Sequence, residues 1–563
     1  MGRVLEIVLD VPQSALHAWC VQHERGGRVG TAQRLDAAFV KALDELPQAG
    51  QAGQAGQAGQ AGQAGQAGQA GQAGRTGSRD GESQGATSHV TRTRFRQSDK
   101  MAAAGLQITL ETSPDARRVV ICQRTAYSPG VMVCEIVCET ALDADASISW
   151  AIAAVPETYR HALADADDLA PLATLTCQCN GWHWLAAEGI AVEIAFDRCG
   201  VASEGDTPPS RELRLTTPFV DDAPSASLTA LFAVACRLVS TLPAFPVLRP
   251  ALDRASDIDA THEVTEPARA TPIDLAGIST PQAALIAIGR NLADQWFGND
   301  AGVRDAVSTE FVHQMRIAQR RLKTALRIFP HWEDDAWKTR VAPDLKWLGT
   351  VLGEARDWDV FVDSTLPALA TADADATRWT TILERADARR LEARERVQTA
   401  MSSARYAQLA LAWLEWLSGL ASREPPGKIV ETSLRGYAQK RVHKYYERLI
   451  KAPKLTTLDE RARHKERIQA KYLRYTLEFF ASIASQKTRK ESAKTVALMQ
   501  SVLGDGNDAA VALRYLQQVD AAPYQAGFAH GWCEASKRYT AQEGERLLRR
   551  LRKPKITGGA GGD

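Results

Sequence analysis

Long apolar runs are missing from this 563-residue chain. No segment offers about 18 consecutive hydrophobic residues, so no membrane span is expected. The opening MGRVLEIVLDVPQSAL lacks the basic start, apolar centre and small-residue cleavage site of a secretory signal, and a cytoplasmic location is the expectation. Cysteine is sparse, nine in all, and the number is odd. That excludes a small disulfide-stapled protein and predicts reduced thiols. Charge of one sign is also lacking, since the formal net charge is +1. The near-zero sum hides a division: from Pro281 onward 46 Lys and Arg face 34 Asp and Glu, while the first 280 residues hold 22 against 33. Such an asymmetry points to a polyanion or an acidic surface as partner of the second half.

Nine Gln-Ala-Gly triplets run from Gln48 to Gly74 without proline, which argues against a collagen helix. Residues 46–88 read as a disordered insertion loop in a first domain spanning 1–254. Around it lie short segments rich in β-branched residues, among them VTRTRFRQ, QITLET, RRVVICQRTA, VMVCEIVCET, SISWAIAAV and IAVEIAFDR. They predict an antiparallel sheet or β-barrel with flanking helices near Gln13–Gln22 and Ser227–Ser240. The aperiodic, proline-bearing stretch from FPVLRPALDR onward reads as interdomain sequence, with the linker proper at 255–279. Residues 280–552 carry long helical periodicity without β-alternation and predict an all-α bundle; 553–563 read as a disordered tail.

At 100° per residue, His313, Arg316, Arg320, Lys323 and Arg327 fall within about 80° of one another, beside an apolar arc of Val312, Met315, Leu322, Leu326 and Phe329. His464, Arg467, Lys471 and Arg474 repeat the 3, 4, 3 spacing, 151 residues later. The same offset carries LGEARD at Leu352–Asp357 onto LGDGND at Leu503–Asp508, so the helical half is an internal duplication. It also maps Arg290 onto Arg441, in a basic run with Lys440, Lys444 and Arg448.

Like charges at i,i+3 and i,i+4 repel by roughly 0.2–0.5 kcal/mol per pair, so each stripe calls for an anion over it. Carboxylates of neighbouring helices, such as Asp357, Asp359, Glu478 and Asp508, would be the bland solution. An external polyanion is the other. Arginine grips phosphate oxygens bidentately and lysine adds point charge, which suits linear inorganic polyphosphate. Nucleic acid is disfavoured because the stripes hold neither interleaved aromatics nor Asn/Gln base readers, although Tyr472 and Tyr475 lie nearby. The histidines heading the stripes have no paired nucleophile, so no catalytic residue is assigned. Cys134/Cys138 and Cys177/Cys179 lack a closed zinc spacing.

VHQMRIAQRRLKTALRIF, LKWLGTVLGEARDWDVF, RIQAKYLRYTLEFF and LMQSVLGDGNDAAVA, in that order, resemble the CHAD family of duplicated helical bundles. The resemblance implies polyphosphate binding in a basic central groove without a cofactor, and association with polyphosphate granules. Carried over, it marks His313, Arg316, Arg320, Lys323, Arg327, Arg356, Arg441, Lys444, His464, Arg467, Lys471 and Arg474. Asn507 stands where the first copy has Arg356.

The first half resembles a degenerate CYTH domain, a β-barrel tunnel for triphosphate. The family's opening E-x-E-x-K reads Val4, Glu6, Val8 here. Arg94 and Arg96 match an R-x-R strand, which implies residual triphosphate binding, and Glu6, Glu193 and Glu212 are the implied metal ligands. Glu111 and Arg214 stand where the family has lysine and glutamate. The alternative function this implies is a metal-dependent inorganic triphosphatase using Mg²⁺ or Mn²⁺. The departures predict that both metal and phosphate binding are weakened.

Overall fold

In a computed structural model the described residues are 2–23, 32–46, 87–142, 148–164, 169–186, 189–201, 210–220, 224–256, 266–424 and 432–557. The chain divides into two units, Met1–Glu263 and Val264–Asp563. Most of the Gln-Ala-Gly insertion lies outside the described residues, as do 257–265 of the expected linker and 558–563 of the expected tail.

The first unit runs β1 (Arg3–Asp10), α1 (Gln13–His23), α2 (Ala32–Glu45), β2 (Thr87–Phe95), α3 (Asp99–Ala104), β3 (Leu106–Thr112), β4 (Arg117–Ser128), β5 (Val131–Ala141), α4 (Ile148–Ala153), α5 (Glu157–Arg160), β6 (Pro171–Leu185), β7 (Ala191–Val201), β8 (Ser210–Pro218), α6 (Pro224–Thr241), β9 (Phe245–Pro246) and α7 (Ala251–Ala255). The strands are antiparallel, in the order β5-β4-β3-β2-β6-β7-β8-β1, and β1 pairs back onto β5. A closed eight-stranded barrel results, with β9 added beside β1. Alternation sends Leu5, Ile7 and Leu9 outward into the core and leaves Val4, Glu6 and Val8 lining the interior. One outer face packs against α3–α5 through Met101, Ile108, Ile121 and Ala151. On another, Phe39 of α2 meets Phe196 of β7, with ring centroids 4.7 Å apart. By length and composition α6 could cross a membrane, yet nine of its residues, from Ser227 to Val239, are buried in the unit.

Three expectations change here. Within SISWAIAAV, Ile148–Ala153 is helix α4 and not a strand; it is an apolar run without polar alternation. Residues 245–255 are part of the barrel unit, since β9 pairs with β1 and α7 lines its interior. Cys177 and Cys199, opposite one another on β6 and β7, form a disulfide instead of reduced thiols. α2 was overlooked, though Leu35, Phe39 and Leu43 at four-residue spacing are a helical signal.

The second unit is α8 (Pro281–Phe297), α9 (Asp300–Arg304), α10 (Thr309–Ile328), α11 (Ala342–Val360), α12 (Leu366–Ala372), α13 (Thr380–Met401), α14 (Ala404–Ser418), α15 (Leu434–Ile450), α16 (Glu460–Phe479), α17 (Ala493–Gln518) and α18 (Pro523–Arg550). The 151-residue offset holds down to details: 3₁₀ turns at Pro330–Trp332 and Ala481–Ile483, then π turns at Trp337–Val341 and Thr488–Ser492. The first pair of helices is the exception. Thr280 caps α8 and Ser433 caps α15, an offset of 153, so Arg290 corresponds to His443 and not to Arg441. The connection containing α9 is two residues longer than its counterpart.

Segments read as linker and tail are partly docked on this unit. Ile273 and Leu275 are buried, and Asn291 donates to Thr271 at 2.6 Å. Ile556 is buried and bridges Ala484 in antiparallel fashion, so residues 553–557 extend the fold.

Candidate polyanion-binding groove and barrel tunnel

The helical unit presents its cations where α10 packs against α16, flanked by α11 and α17. Arg316 and Lys323 extend from α10 over α11 at its two glycines. A Cβ at Gly353 would meet Arg316 Nη1 at 2.4 Å, and one at Gly349 would meet Lys323 Nζ at 2.6 Å. Glycine at these helix-interior positions, at a cost of roughly 0.8–1.0 kcal/mol against alanine, lets both side chains lie directly against the α11 backbone. Arg316 also donates to Asp357 Oδ1 at 3.2 Å.

The two stripes converge. Burial, followed by the fields of Arg320, Arg467, Arg316 and Lys323, pushes the Lys471 ammonium down to about 8. Arg467 on α16 likewise feels Arg320 and Arg316 of the other copy. At one end His313 is driven down to about 4 by burial and by Arg356, Arg320 and Arg316. At the other, Arg327 joins Arg441 and Arg448 around Tyr445, and Lys444 lies beside the same ring. Arg441 donates to the Tyr437 hydroxyl at 3.1 Å. Arg474 is half-buried over Tyr475, and His464 is exposed. The basic residues therefore follow one track from Arg356 through the central five to α15, not a single compact cluster.

Carboxylates neutralise only part of it. Asp357 bonds Arg316, and Asp508, its duplicate position, acts on Arg467. Asp359 instead pairs with Arg394 and Glu478 with Arg321, both away from the stripes. Arg320, Lys323 and Lys471 are bonded to no carboxylate among the described residues. Arg320 and Arg467 each hold a buried Nε without a hydrogen-bond partner. Lys346, beside Lys323, and Arg514, beside Asp357, join the field unforeseen; both lie off the stripe periodicity.

The barrel tunnel, a cavity of about 380 Å³, has the opposite arrangement. Arg92 bonds Glu111 and Asp197, both at 3.1 Å. Arg118 bonds Glu111 at 2.6 Å and Glu139 at 2.5 Å. Arg124 bonds Glu6 at 2.7 Å and Asp253 at 2.5 Å, Arg94 bonds Asp253 at 3.3 Å, and Arg214 bonds Asp197. Against its burial, Arg214 and Arg92 hold the Asp197 carboxyl at about 2. Asp253 comes from α7, so a carboxylate of the chain itself lies between Arg94 and Arg124.

Two tunnel expectations are corrected. Arg96 is exposed beyond the end of β2, because a register shift between Arg94 and Phe95 breaks the alternation; the tunnel pair is Arg92 and Arg94. Glu193 is exposed, 3.4 Å from His183, and outside the tunnel lining. Glu6 and Glu212 do line it, but Glu6 is spent on Arg124. Glu212 accepts from the Ala251 amide at 2.6 Å, and burial raises its carboxyl to about 7. No three His, Cys, Asp or Glu groups among the described residues are arranged to hold a metal ion. A hard divalent cation needs several oxygen ligands, and this donor set does not fit one.

Comparison with known proteins bears on the helical half most directly. The family model for the CHAD domain matches residues 287–517. No curated protein matches the chain. Among solved structures, the CHAD domain from the plant Ricinus communis is similar at 28% identity, covering 52% of this chain and 99% of that one, with a TM-score of 0.45. PptA from Streptomyces chartreusis is similar at 18% identity, covering 50% and 99%, with a TM-score of 0.38. A putative adenylyl cyclase from Hippeastrum, described as having a dominant triphosphatase activity, is similar at 12% identity, covering 46% and 100%, with a TM-score of 0.24.

Proposed function

Because residues 287–517 match the family model of the CHAD domain, we propose that the helical unit binds inorganic polyphosphate along the cleft between α10 and α16. The observation that carries this reading is the convergence of Arg316, Arg320, Lys323 and Arg467 on Lys471, with the Nε donors of Arg320 and Arg467 unused. Such a cluster is electrostatically unfavourable until an anion enters, and a chain of phosphates supplies one bridging charge after another. Binding needs no cofactor, and granule association in the cytoplasm follows from the ligand. The barrel is proposed to be a self-neutralised CYTH-like tunnel that does not hydrolyse triphosphate, because its arginines are engaged by Glu6, Glu111, Glu139, Asp197 and Asp253.

The test is titration of long-chain polyphosphate into the full chain at fixed salt, beside Arg316→Ala/Arg320→Ala/Arg467→Ala/Lys471→Ala. Loss of binding and of its salt dependence, with an unchanged helical CD spectrum, is expected. Undiminished affinity overturns the reading, and duplex DNA competing equally at matched phosphate concentration would replace it with nucleic-acid binding.

A further inference from the structure

The duplication is imperfect behind the second stripe, where α16, α17 and α18 enclose a cavity of about 460 Å³. Its lining includes Leu503, Gly506, Ala510 and Ala541, the exposed Arg461 and His464, and the half-buried Arg467. The volume lies within the usual range of small-molecule pockets, and an apolar wall with convergent polar groups is their usual lining.

The divergence between the copies is directional. Two positions change toward space and positive charge, Glu310 becoming Arg461 and Asp359 becoming Ala510, while Ala355 becomes Gly506, where Thr540 Oγ1 takes up the space, 2.5 Å from where a Cβ would lie. In the first half Asp359 is fully buried and bonded to Arg394 Nη2 at 2.7 Å, so an ion pair to α13 occupies the equivalent place. In the second half the corresponding neighbour, α18, offers Thr540 and Ala541.

The remaining charges do not fill the cavity. Lys537 is committed to Glu460 and Glu534, both at 3.0 Å, which also neutralises the carboxylate of the lining. Arg463 is tied to the Lys537 carbonyl at 2.9 Å, but its Nε and that of Arg467 are buried without a partner.

We propose that this cavity is a second anion site, distinct in chemistry from the polyphosphate cleft, that takes an organic phosphate of nucleotide size. Its phosphate meets Arg461, His464 and Arg467, and its apolar body lies against Leu503, Ala510 and Ala541. An inorganic phosphate chain has nothing to place on that wall, so the body of the ligand confers the selectivity. The site does not require the cleft to bind polyphosphate.

Calorimetric titration of the full chain with ADP and with pyrophosphate, in magnesium-free buffer at fixed salt, tests this. ADP is expected to bind about tenfold more tightly than pyrophosphate, the scale of burying a modest apolar body. Ala510→Leu and, separately, Ala541→Leu fill the cavity; each is expected to remove the ADP preference while leaving long-chain polyphosphate affinity within about twofold. The proposal is overturned if pyrophosphate binds as tightly as ADP to the unmodified chain, or if either variant, with an intact helical CD spectrum, keeps the preference. Arg467 borders both sites, so the separating variant is Arg316→Ala/Arg320→Ala/Lys471→Ala, which keeps it: loss of polyphosphate binding with the ADP preference intact is expected there, and the two readings fail separately.

Discussion

The barrel lines its cavity with Arg92, Arg94, Arg118, Arg124 and Arg214, and the bundle lines its cleft with Arg316, Arg320, Lys323, Arg467 and Lys471. The two sets are alike in number and unlike in state. Every tunnel arginine is bonded to a carboxylate, whereas Arg320, Lys323 and Lys471 have no carboxylate bonded to them among the described residues. The difference originates in secondary structure. Antiparallel pairing sets Arg92 opposite Glu111 and Glu111 opposite Arg118, so opposite charges on successive strands meet on one face. A helix with cations at i, i+4, i+7 and i+11, as at Arg316, Arg320, Lys323 and Arg327, stacks like charges instead, and Arg467, Lys471 and Arg474 on the facing helix compound the repulsion. A sheet can satisfy its own charges locally; these two helices cannot, because the neighbours of each cation along the stripe carry the same sign.

The strongest test of that contrast removes cations from each region. Arg320→Ala/Lys471→Ala is expected to weaken polyphosphate binding by about 100-fold or more, since two charge-assisted contacts at roughly 1.5–3 kcal/mol each sum to about 3 kcal/mol at the least. Arg92→Ala/Arg94→Ala should leave it within about twofold. Equal losses from the two double variants, measured by calorimetry at one salt concentration, would erase the distinction.

The next largest effect reverses the contrast. Asp253→Asn removes the carboxylate shared by Arg94 and Arg124. Removing one partner of a buried ion pair leaves the other uncompensated, so the barrel should lose stability while gaining about tenfold in tripolyphosphate affinity. Thermal unfolding and titration of the same variant read both. A stability loss with no gain in anion binding would mean that the tunnel is closed by more than its internal charge.

These expectations rest on features of unequal visibility in the sequence. The stripes and the 151-residue repeat were legible because helical periodicity is local and the repeat is contiguous; the matching π turns at Trp337 and Thr488 extend it. Asp253 was not, because its partners lie 129 and 159 residues away and α7 carries only one short turn of pattern. Arg92 was missed because the irregularity after Arg94 shifts the alternation on which the Arg94/Arg96 pairing relied. The Cys177–Cys199 bridge depends on strand register, which cysteine spacing alone does not reveal.

A smaller effect separates the regions by pH. Lys471, lowered to about 8 by burial and by Arg320 and its neighbours, is partly neutral in the empty cleft above that pH. Polyphosphate restores its charge, so binding should take up a proton between about pH 8 and 10, and affinity should fall several-fold from pH 7 to 9. The same shift sets a stability trend: because the folded form binds its proton less tightly than the unfolded chain, this contribution is complete above the ordinary lysine pKa and is lost as pH falls through about 8. Calorimetry in buffers of different ionisation enthalpy measures the uptake, and Lys471→Arg should abolish it. Uptake that persists in that variant would assign the proton elsewhere.

The smallest effect compares the two copies within the bundle. A methyl group at Gly353 would enter the space held by Arg316 Nη1, 2.4 Å away, whereas Gly504, its duplicate, has nothing within 4 Å. Arg316 is long enough to yield, so Gly353→Ala should displace its guanidinium from Asp357 and lower polyphosphate affinity only about two- to threefold. Gly504→Ala should leave affinity unchanged and raise stability by roughly 0.5–1 kcal/mol, the ordinary gain of alanine over glycine in a helix. At Gly353 the same intrinsic gain is offset by the displaced ion pair. If both variants bound polyphosphate equally well, the seating of Arg316 over α11 would be irrelevant to the cleft, and the cation positions would matter only through their summed charge.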